Sequence, residues 1–511
     1  MKPHLTMIEL FSGIGAQKEG TDLTELFDCE VIATADIEKD AMVSYAAIHN
    51  GLTNEMIKNF SDYPSEDEMR EELIKRNIGF DFKKNTNPIA RMKGEKLRKY
   101  YLAMSISNNL GDISKIENLP LADFWTYSFP CQDISVAGKQ AGIVKGQTRS
   151  GLLYEVERLL EIAKNTDALP KYLLLENVKN LVGKQFKEQF DDWISRLDEL
   201  GFNTYWAVVN AKDCGIAQNR ERVFAVSIRK DIDTGLFEFM KPYDLGLRLR
   251  DFLEDEVEDK YFLSPEIQER LQITDETFTK SVVGTTKPDF RTIGQADLVY
   301  QKDGIMGTLL SRDYKQPKQI LEDISPKRIG GLFDEKVFDE EDGKEKIIKH
   351  QAGSVWDKER LAPTIDTCQG GYRQPLLFHN EKKVRKLTPR ESFRLMGFSD
   401  EAYDKAFAVG LSDTAGYKQA GNSIVTYCIK GIMEHLYKAQ YDNTYICFDE
   451  KINNYSNNDE TNKIIVVGNY MPSNHDASRI VDEEGIAPCV KENHGTVTGV
   501  LRRNFYSPQV D

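Results

Sequence analysis

A recurring order of short apolar strand, turn and amphipathic helix, which continues to about residue 230, constrains the fold more than any other feature. This alternation is typical of open α/β sheets, in which each helix returns the chain to the start of the next strand. We therefore expect an α/β fold that binds ligands at the carboxyl edge of its sheet. The predicted strands are Thr6–Phe11, Val31–Asp36, Asp123–Ser128, Tyr172–Glu176, Asn203–Val209 and Arg222–Ile228.

Changes in residue composition and secondary-structure pattern along the chain predict four parts. Residues 1–240 contain the sheet, interrupted by a charged, helix-prone insertion at about 54–109. Residues 241–383 mix turns, charge runs and short β-like pieces, which favours a second, smaller β-rich domain. Residues 384–440 return to helix, with Thr388 and Glu391 spaced as a capping box and a long helix expected from Ser423 to Gln440. We expect that helix to pack back on the first domain.

The final part, residues 441–511, repeats a segment of the β-rich region. The stretch beginning at His350 recurs from His475 at a constant offset of 125 residues. We interpret 441–511 as a linker plus a second copy of a recognition-like unit, with a chance match of turn-rich sequence as the alternative. The coinciding pairs are His350/His475, Ala352/Ala477, Asp357/Asp482, Glu359/Glu484, Ala362/Ala487, Pro363/Pro488 and Gly370/Gly495.

Composition narrows the functional classes. Apolar runs stay well below the roughly 20 residues of a membrane helix, and the start lacks a signal peptide's apolar stretch, so we expect a cytoplasmic protein with no membrane partner. The seven cysteines lack both a disulfide framework and Cys-x-x-Cys zinc spacing, which indicates reduced thiols. The net charge of −15 argues against nucleic acid, because Lys and Arg supply most affinity for phosphate. Acidic clusters on an outer face would still allow a basic cleft.

One cysteine stands in a distinctive context. Cys131 lies in Pro130-Cys131-Gln132, after a predicted strand and before a glycine-rich loop. A thiolate is a strong nucleophile where positive charge stabilises it, and Arg220 or Arg222 could supply that charge. The loop suggests a mobile lid that touches phosphates. Its cations are Lys139, Lys145 and Arg149.

A carboxylate is expected beside this cysteine. Glu176 ends the apolar strand that follows, at the same edge of the sheet. Desolvation raises the pKa of a carboxyl, so Glu176 can hold a proton against a ring nitrogen near neutral pH. The alternative interpretation is an acidic helix cap.

The amino end carries a candidate nucleotide site. The first strand enters the turn Gly13-Ile14-Gly15, where bare backbone can approach a ligand closely, although a purely structural turn is the alternative. Asp36 ends the next strand about 20 residues later, where an acid can accept hydrogen bonds from a ribose. Asp112 is a candidate acceptor for an adenine amino group. Helix caps are the alternative for both acids.

Six segments together resemble the motifs of the cytosine-C5 methyltransferases, in the order of that family. The resemblance implies a Rossmann-like, S-adenosylmethionine-dependent methyltransferase sheet with a smaller, β-rich target-recognition domain. Two features depart from it: Ser128-Phe129 stand where many members have glycine and proline, and residues 441–511 lie beyond the usual end. The six segments are Ile8–Gly15, Pro130–Gln132, Glu176–Val178, Gln218–Arg222, Arg385–Phe398 and Gln419–Ser423.

The resemblance also implies roles for individual residues. Cys131 would attack C6 of a cytosine, Glu176 would bond N3 and the exocyclic amine, and Arg220 would help hold the base. Pro130, Gln132 and Arg222 complete the implied catalytic set, with no metal. S-adenosylmethionine would lie with its adenine on Phe11 and its ribose on Asp36. Its implied pocket is Phe11, Ser12, Gly13, Gly15, Asp36, Ile37, Asp112, Ile113, Asn422 and Ser423.

Double-stranded DNA is the implied partner of what we expect to be a monomer. A stacked base must rotate out to react, at a cost of a few kcal/mol. A tRNA cytosine-C5 methyltransferase and a non-catalytic DNA-binding protein that keeps S-adenosylmethionine are the alternatives. The target bases, the number of strands modified and any accompanying restriction endonuclease stay open. Candidate DNA contacts are Gln218, Lys139, Lys145, Arg149, Gly370, Gly371, Arg373 and Gln374.

Overall fold

The structure is a computed structural model of the 511-residue chain. The chain divides into two compact units, Met1–Gln440 and Tyr441–Asp511. The structure describes residues 2–131, 134, 150–243, 245–262, 272–273, 282–285, 297–301, 304–311, 313–315, 317–321, 328–331, 335–339, 344–348, 354–356, 384–442, 466–469, 479–482 and 499–501.

A six-stranded sheet lies at the centre of the first unit. Its strands are β1 His4–Leu10, β2 Asp28–Ala35, β3 Phe124–Tyr127, β4 Tyr172–Val178, β5 Phe202–Asn210 and β7 Glu221–Arg229, with the short β6 Gln218–Asn219 beside them in sequence. The order is β2-β1-β3-β4-β7-β5, in which the first four run parallel and β7 is antiparallel to both neighbours. Each predicted strand is present, and the predicted α/β class is confirmed.

Helices cover this sheet because their apolar residues recur at helical spacing. In α6, for example, Leu153, Val156 and Leu160 are all buried on one stripe. None of the helices within the described residues is both long and apolar enough to cross a membrane. The helices are α1 Ala16–Asp22, α2 Lys39–Asn50, α3 Asn54–Asn59, α4 Glu66–Lys75, α5 Gly94–Ile106, α6 Leu153–Asn165, α7 Lys187–Leu200, α8 Pro389–Arg394, α9 Asp400–Ala408, α10 Asp413–Asn422 and α11 Thr426–Tyr441.

Two buried clusters divide the core. One joins the central strands to α6 and α7. The other joins α2 to the helices of the insertion, α3 to α5, and includes Val409 from the carboxyl-terminal helices. The insertion therefore shares a core with the first domain.

The carboxyl-terminal helices follow the predicted signals closely. The Thr388 hydroxyl accepts a hydrogen bond from the Glu391 amide at 3.1 Å, and the Glu391 carboxylate accepts one from the Thr388 amide at 2.8 Å, so the capping box is present. The last helix begins at Thr426 and not at Ser423, because Ser423 ends α10. It does pack on the first domain: the rings of Phe27 and Tyr437 are 5.6 Å apart.

The region between residues 241 and 383 is rich in strands, as expected. A five-stranded sheet has the order β17-β12-β10-β9-β8, β13 pairs with β16, β14 pairs with β15, and β11 pairs with β6. The boundary at 240 stays a prediction. The strands of this region are β8 Gln272–Ile273, β9 Val282–Thr285, β10 Leu298–Gln301, β11 Met306–Gly307, β12 Gln319–Leu321, β13 Arg328–Gly331, β14 Glu335–Asp339, β15 Lys344–Ile348 and β16 Ser354–Trp356, and the strand β17 Val384–Lys386, which joins the five-stranded sheet, comes directly after it.

The second unit contains one three-stranded sheet among its described residues. Its strands are β18 Val466–Asn469, β19 Arg479–Asp482 and β20 Gly499–Leu501. The first residues of β16 and β19 are separated by the same offset as the sequence repeat. The two copies thus place a strand at the same position, although most of the repeat lies outside the described residues.

Candidate active site

The carboxyl edge of the central sheet brings the predicted catalytic residues together. Tyr127, the last residue of β3, pairs with Leu175, so Glu176 lies one residue past the end of β3. Because β7 is antiparallel to β4, its start is at the same edge, where Arg222 pairs with Val178. The result is an ion pair between Arg222 Nε and Glu176 Oε1 at 3.2 Å.

The segment that carries Cys131 is held from both sides. The Asn177 side-chain amide donates to the Phe129 carbonyl at 3.0 Å, and the Ser150 hydroxyl donates to the Pro130 carbonyl at 2.7 Å. Cys131 itself is partly exposed, whereas Phe129 is buried in the core. Phe129, one of the two residues that depart from the family pattern, therefore packs in the core two residues before the partly exposed Cys131.

Charges around the thiol act in opposite directions. Burial is the largest influence and raises the pKa of Cys131, the charge of Glu176 raises it further, and Arg222 and Arg220 lower it. The arginines thus favour the thiolate, as predicted, but their effect is smaller than that of burial. The net effect raises the pKa of Cys131, which favours the protonated thiol.

Glu176 has the electrostatics expected of a proton donor. Its side chain is nearly buried, and burial raises its pKa, while Arg222 and Arg220 lower the pKa by a smaller amount. The direction is the one that the sequence predicts. A carboxyl in these surroundings keeps its proton to a higher pH than an exposed glutamate.

Arg220 is buried away from any open surface. Its Nη1 donates to the Leu309 carbonyl at 2.8 Å, and its Nη2 donates to the carbonyls of Gly421 and Ser423 at 3.2 and 2.7 Å. Burial, followed by the charge of Arg222, lowers the pKa of Arg220 to about 9. Both Nη atoms therefore bond backbone carbonyls, and Nε is buried with no hydrogen-bond partner among the described residues, so the guanidinium is enclosed and not exposed to a base as expected.

Gln218 also departs from expectation. Its side chain is fully buried, its Oε1 accepts from the Leu309 amide at 3.0 Å, and its Nε2 donates to the Leu395 carbonyl at 2.8 Å. A side chain whose amide is used in this way does not reach DNA. Gln218 instead ties the β-rich region to the segment after α8.

The turn after β1 has the backbone geometry of a ligand-binding loop. Phe11 and Gly13 have φ angles of 59° and 54°, and a side chain at Gly13 would meet no atom of the described residues within 4 Å, so among them this face of the turn is open. At Gly15 a side chain would lie 2.2 Å from His49 Nε2, which leaves room only for glycine. The Gly13 amide donates to Asp36 Oδ2 at 2.8 Å, which joins the turn to the first predicted acid.

Asn109 connects Asp36 to the loop that carries the second predicted acid, Asp112. Asn109 Oδ1 accepts from the amides of Asp36 and Gly111 at 3.1 and 2.8 Å, and Asn109 Nδ2 donates to the Asp36 carbonyl at 3.1 Å. Asp112 follows directly, with its Oδ1 bonded to the amide and hydroxyl of Ser114. Asn109 was not predicted from the sequence; its signal was a polar residue two positions before Gly111, between two candidate acids.

The remaining predicted cofactor residues lie in these loops or at the end of α10. Asn422 is exposed at the end of α10, where Ser423 follows it. Lys418, one turn earlier, forms an ion pair with Glu38 just after β2, so α10 lies against the loop that carries Asp36. Ile113 and Ser12 are both buried, and Ile37 directly follows Asp36.

Glu9 is a second residue that the sequence analysis missed. It is buried, and its carboxylate accepts from the Tyr45 hydroxyl at 2.6 Å and from the Lys18 amide at 2.9 Å. Burial raises the pKa of Glu9 to about 7. These bonds fix α1 beneath the glycine turn. The signal was a single acid among the apolar residues Met7, Ile8 and Leu10 of β1.

Several predicted residues lie outside the described residues, so their positions stay open. They are the catalytic candidate Gln132 and the DNA-contact candidates Lys139, Lys145, Arg149, Gly370, Gly371, Arg373 and Gln374.

Comparisons with known proteins identify the family. A profile of the family described as C-5 cytosine-specific DNA methylase matches residues 75–438. The type II methyltransferase M2.ScrFI of Lactococcus lactis subsp. cremoris is 35% identical over 439 residues, covering 85% of this chain and 100% of that protein. The orphan methyltransferase M.SssI of Spiroplasma monobiae is 37% identical over 236 residues, covering 44% of this chain and 59% of that protein.

More distant matches also span the chain. The orphan methyltransferase M.SPBetaI of Bacillus phage SPbeta is 26% identical and covers 84% of this chain and 97% of that protein. Among solved structures, the methyltransferase EhMeth of Entamoeba histolytica aligns with a TM-score of 0.47 at 16% identity, covering 85% of this chain and 98% of that one.

Proposed function

The chain belongs to the C-5 cytosine-specific DNA methylase family, and on that premise we propose that it moves a methyl group from S-adenosylmethionine to C5 of an everted cytosine through a transient bond between Cys131 and C6. The enzyme is thus a DNA cytosine-C5 methyltransferase. One observation carries the proposed mechanism: the partly exposed thiol, the nearly buried Glu176 carboxyl and the Arg222 guanidinium meet at one edge of the sheet.

The chemistry needs a nucleophile and an acid on the same ring. Cys131 loses its proton to solvent and bonds to C6, which breaks the C5–C6 π bond and makes C5 nucleophilic. Glu176, protonated, donates to N3 and so neutralises the negative charge that develops in the ring. Once C5 carries the methyl group, its proton leaves to a solvent base. The freed electron pair restores the double bond and expels the Cys131 sulfur as a thiolate, and N3 returns its proton to Glu176.

We assign the base-facing arginine as Arg222. Its side chain is less buried than that of Arg220, and it already touches Glu176, the residue that would hold N3. Arg220 would act at longer range: its positive charge lowers the pKa of both Cys131 and Glu176 while its guanidinium joins chain segments.

The residues near the glycine turn fit S-adenosylmethionine. The open face at Gly13 admits a ligand against bare backbone, and the Asp36 and Asp112 carboxylates each keep acceptor positions beyond the bonds described above. When bound, this cofactor supplies a methyl group on a positively charged sulfur. Phe11, Asp36 and Asp112 would hold its adenosine, with Asn422 and Ser423 completing the pocket.

We propose duplex DNA as the substrate in preference to tRNA. Reading a duplex site needs a surface beyond the catalytic one, and the strand-rich region 241–383 would supply it. Flipping the base costs a few kcal/mol of stacking and pairing. Lys139, Lys145 and Arg149 are proposed phosphate contacts, and Gly370, Gly371, Arg373 and Gln374 are proposed contacts to base edges or backbone.

A transfer assay with tritiated S-adenosylmethionine tests the substrate and the donor together. Duplex DNA and tRNA are offered side by side, and bisulfite sequencing of the DNA then reports the modified base and its context. We expect label in DNA, at cytosine C5, within one short sequence. Label in tRNA alone would contradict the proposal, and cofactor binding without transfer to either would favour a non-catalytic DNA-binding protein.

A further inference from the structure

The insertion at residues 54–109 reaches the proposed cofactor pocket through one turn. This turn, Arg76–Gly79, lies between α4 and α5 and is named the insertion turn below. The Gly79 amide donates to the Ile37 carbonyl at 2.7 Å, next to Asp36. The Arg76 carbonyl accepts from the Asp112 amide at 2.9 Å. One turn therefore holds both loops that carry the two acids.

The insertion turn packs too closely against Gly111 for a larger residue at position 111. A side chain at Gly111 would lie 2.2 Å from the Arg76 carbonyl oxygen and 2.6 Å from Arg76 Cβ. Arg76 also donates from Nη1 to the Asn109 carbonyl at 2.6 Å, while its Nε and Nη2 bind Glu72 at 2.9 and 2.6 Å. The insertion turn is thus fixed against the Asn109–Asp112 loop by backbone and side-chain bonds together.

Asn77, in the middle of the insertion turn, contacts one of the acids directly. Its Nδ2 donates to Asp112 Oδ2 at 2.7 Å, and its Oδ1 accepts from Lys115 Nζ at 2.9 Å. A lysine can only donate, so the Lys115 bond fixes which end of the amide faces Asp112. Asn77 has a φ of 57°, a left-handed conformation that asparagine tolerates.

We propose that the insertion is a working part of the cofactor site, in which Asn77 positions the Asp112 carboxylate to accept the adenine amino group of S-adenosylmethionine. Ser114 holds Asp112 Oδ1 and Asn77 holds Oδ2, so both oxygens of the carboxylate are fixed by hydrogen bonds in this orientation. Each carboxylate oxygen accepts two bonds, so Oδ2 keeps a position for the adenine. This inference rests on the proposed use of S-adenosylmethionine and extends it to residues outside the six motifs.

Asn77 would therefore set affinity and base preference for the cofactor without taking part in methyl transfer. S-adenosylhomocysteine, the product of the cofactor, tests affinity directly. S-inosylhomocysteine carries an oxygen where adenine has its amino group, so Asp112 would meet an acceptor in place of a donor. We expect the unaltered protein to prefer the adenosine compound by roughly tenfold or more, the effect of one unmatched buried hydrogen bond.

The test measures the Kd of both compounds by isothermal titration calorimetry on the full chain. Asn77→Gly keeps the left-handed turn and removes the amide. Asn77→Asp keeps the turn and the Lys115 pairing but has no N–H donor. We expect both variants to bind S-adenosylhomocysteine several-fold more weakly and to lose most of the preference. In turnover, KM for S-adenosylmethionine should rise while kcat and KM for DNA stay unchanged.

Asn85→Gly is the matched control, because Asn85 is exposed in the same insertion and also has a left-handed φ, of 50°. It should leave both affinities unchanged. Unaltered affinity and preference in either folded Asn77 variant would overturn the inference, as would equal binding of the two compounds by the unaltered protein. Failure of the unaltered protein to bind S-adenosylhomocysteine at all would instead count against the proposed function.

Discussion

Arg220 and Arg222 are two residues apart in one motif, yet their surroundings differ. Side chains two apart on a strand share a face, but Arg220 precedes β7 and turns toward the carboxyl-terminal helices, while Arg222 lies on β7 beside Glu176. We therefore expect Arg220 to contribute mainly to stability and Arg222 mainly to catalysis.

Replacing each arginine by methionine tests this separation. Arg220→Met leaves three buried carbonyls without their donor, which we expect to cost about 3 kcal/mol or more and to lower the melting temperature clearly. Arg222→Met should change the melting temperature little and reduce methyl transfer by roughly 100-fold. Thermal melts and single-turnover transfer give both numbers. Equal stability losses in the two variants would contradict the assignment.

The reactivity of Cys131 should report its charged neighbours. Iodoacetamide reacts with thiolates, so the pH midpoint of Cys131 alkylation, followed by peptide mass spectrometry, tracks the thiol pKa. Burial and Glu176 raise that pKa, so the midpoint should lie above the value of about 8.5 for a free cysteine. Reaction is then slow at neutral pH and accelerates as pH rises through the midpoint.

Two substitutions test whether each neighbour raises or lowers the pKa of Cys131. Glu176→Gln removes a negative charge and should lower the midpoint, whereas Arg222→Met removes a positive charge and should raise it. Cys29, which is distant from this pair in sequence and whose pKa burial raises, serves as the internal reference. A Cys131 midpoint that neither substitution moves would mean that the thiol is not beside these groups.

At the scale of elements, α10 and the segment after β11 meet at one glycine. A side chain at Gly421 would lie 2.2 Å from the Leu310 carbonyl carbon and 2.4 Å from the Ser311 amide nitrogen. Backbone cannot move aside as the end of a side chain can. This close approach brings the Leu309 and Gly421 carbonyls within reach of Arg220.

Gly421→Ala should therefore separate these elements and disrupt the Arg220 bonds. We expect a fall of several degrees in melting temperature together with weaker cofactor binding, because Asn422 and Ser423 follow directly. Gly431→Ala, in α11, is the control: its nearest neighbour is the flexible end of Met240, at 2.9 Å, and alanine favours helix. An unchanged melting temperature in Gly421→Ala would show that the added methyl group causes no strain against Leu310 and Ser311.

The sequence predicts the elements well but predicts their long-range contacts poorly. Strand and helix positions follow from local periodicity and capping, as the Thr388–Glu391 box illustrates. The meeting of Cys131 with Glu176 followed from the rule for carboxyl edges and from the family resemblance. The burial of Gln218 and Arg220 depends on segments about 90 to 200 residues away, which no local pattern encodes. Asn77 and Asn109 were missed for the same reason.

At the scale of the whole molecule, the chain adds a separate carboxyl-terminal unit to the methyltransferase. That unit, Tyr441–Asp511, carries the segment that we interpret as a second copy of the repeat, and it contains the sheet β18-β19-β20. The alignment with M2.ScrFI covers 85% of this chain and the full length of M2.ScrFI. We propose that the unit extends the DNA footprint, since the first copy falls within the proposed recognition region.

Truncation after Gln440 tests that role. The first unit is compact without the removed residues, so we expect methyl transfer to persist. Affinity for duplex DNA should fall, and the dependence of log K on log salt should become shallower by about 0.9 for each lost phosphate contact. Filter binding at several salt concentrations measures both. A truncated protein with unchanged affinity, salt dependence and site preference would remove the second copy from DNA binding.

The central claim is the covalent bond from Cys131 to the target base. Duplex DNA carrying 5-fluorocytosine at the methylated position traps that bond, because fluorine cannot leave C5 as a cation. With S-adenosylmethionine present, we predict a denaturant-stable complex whose peptide map places the cross-link on Cys131. Cys131→Ala should form no complex and lose more than about 10⁴-fold in transfer rate while still binding cofactor. A complex formed by Cys131→Ala, or transfer at the unaltered rate in that variant, would contradict the account.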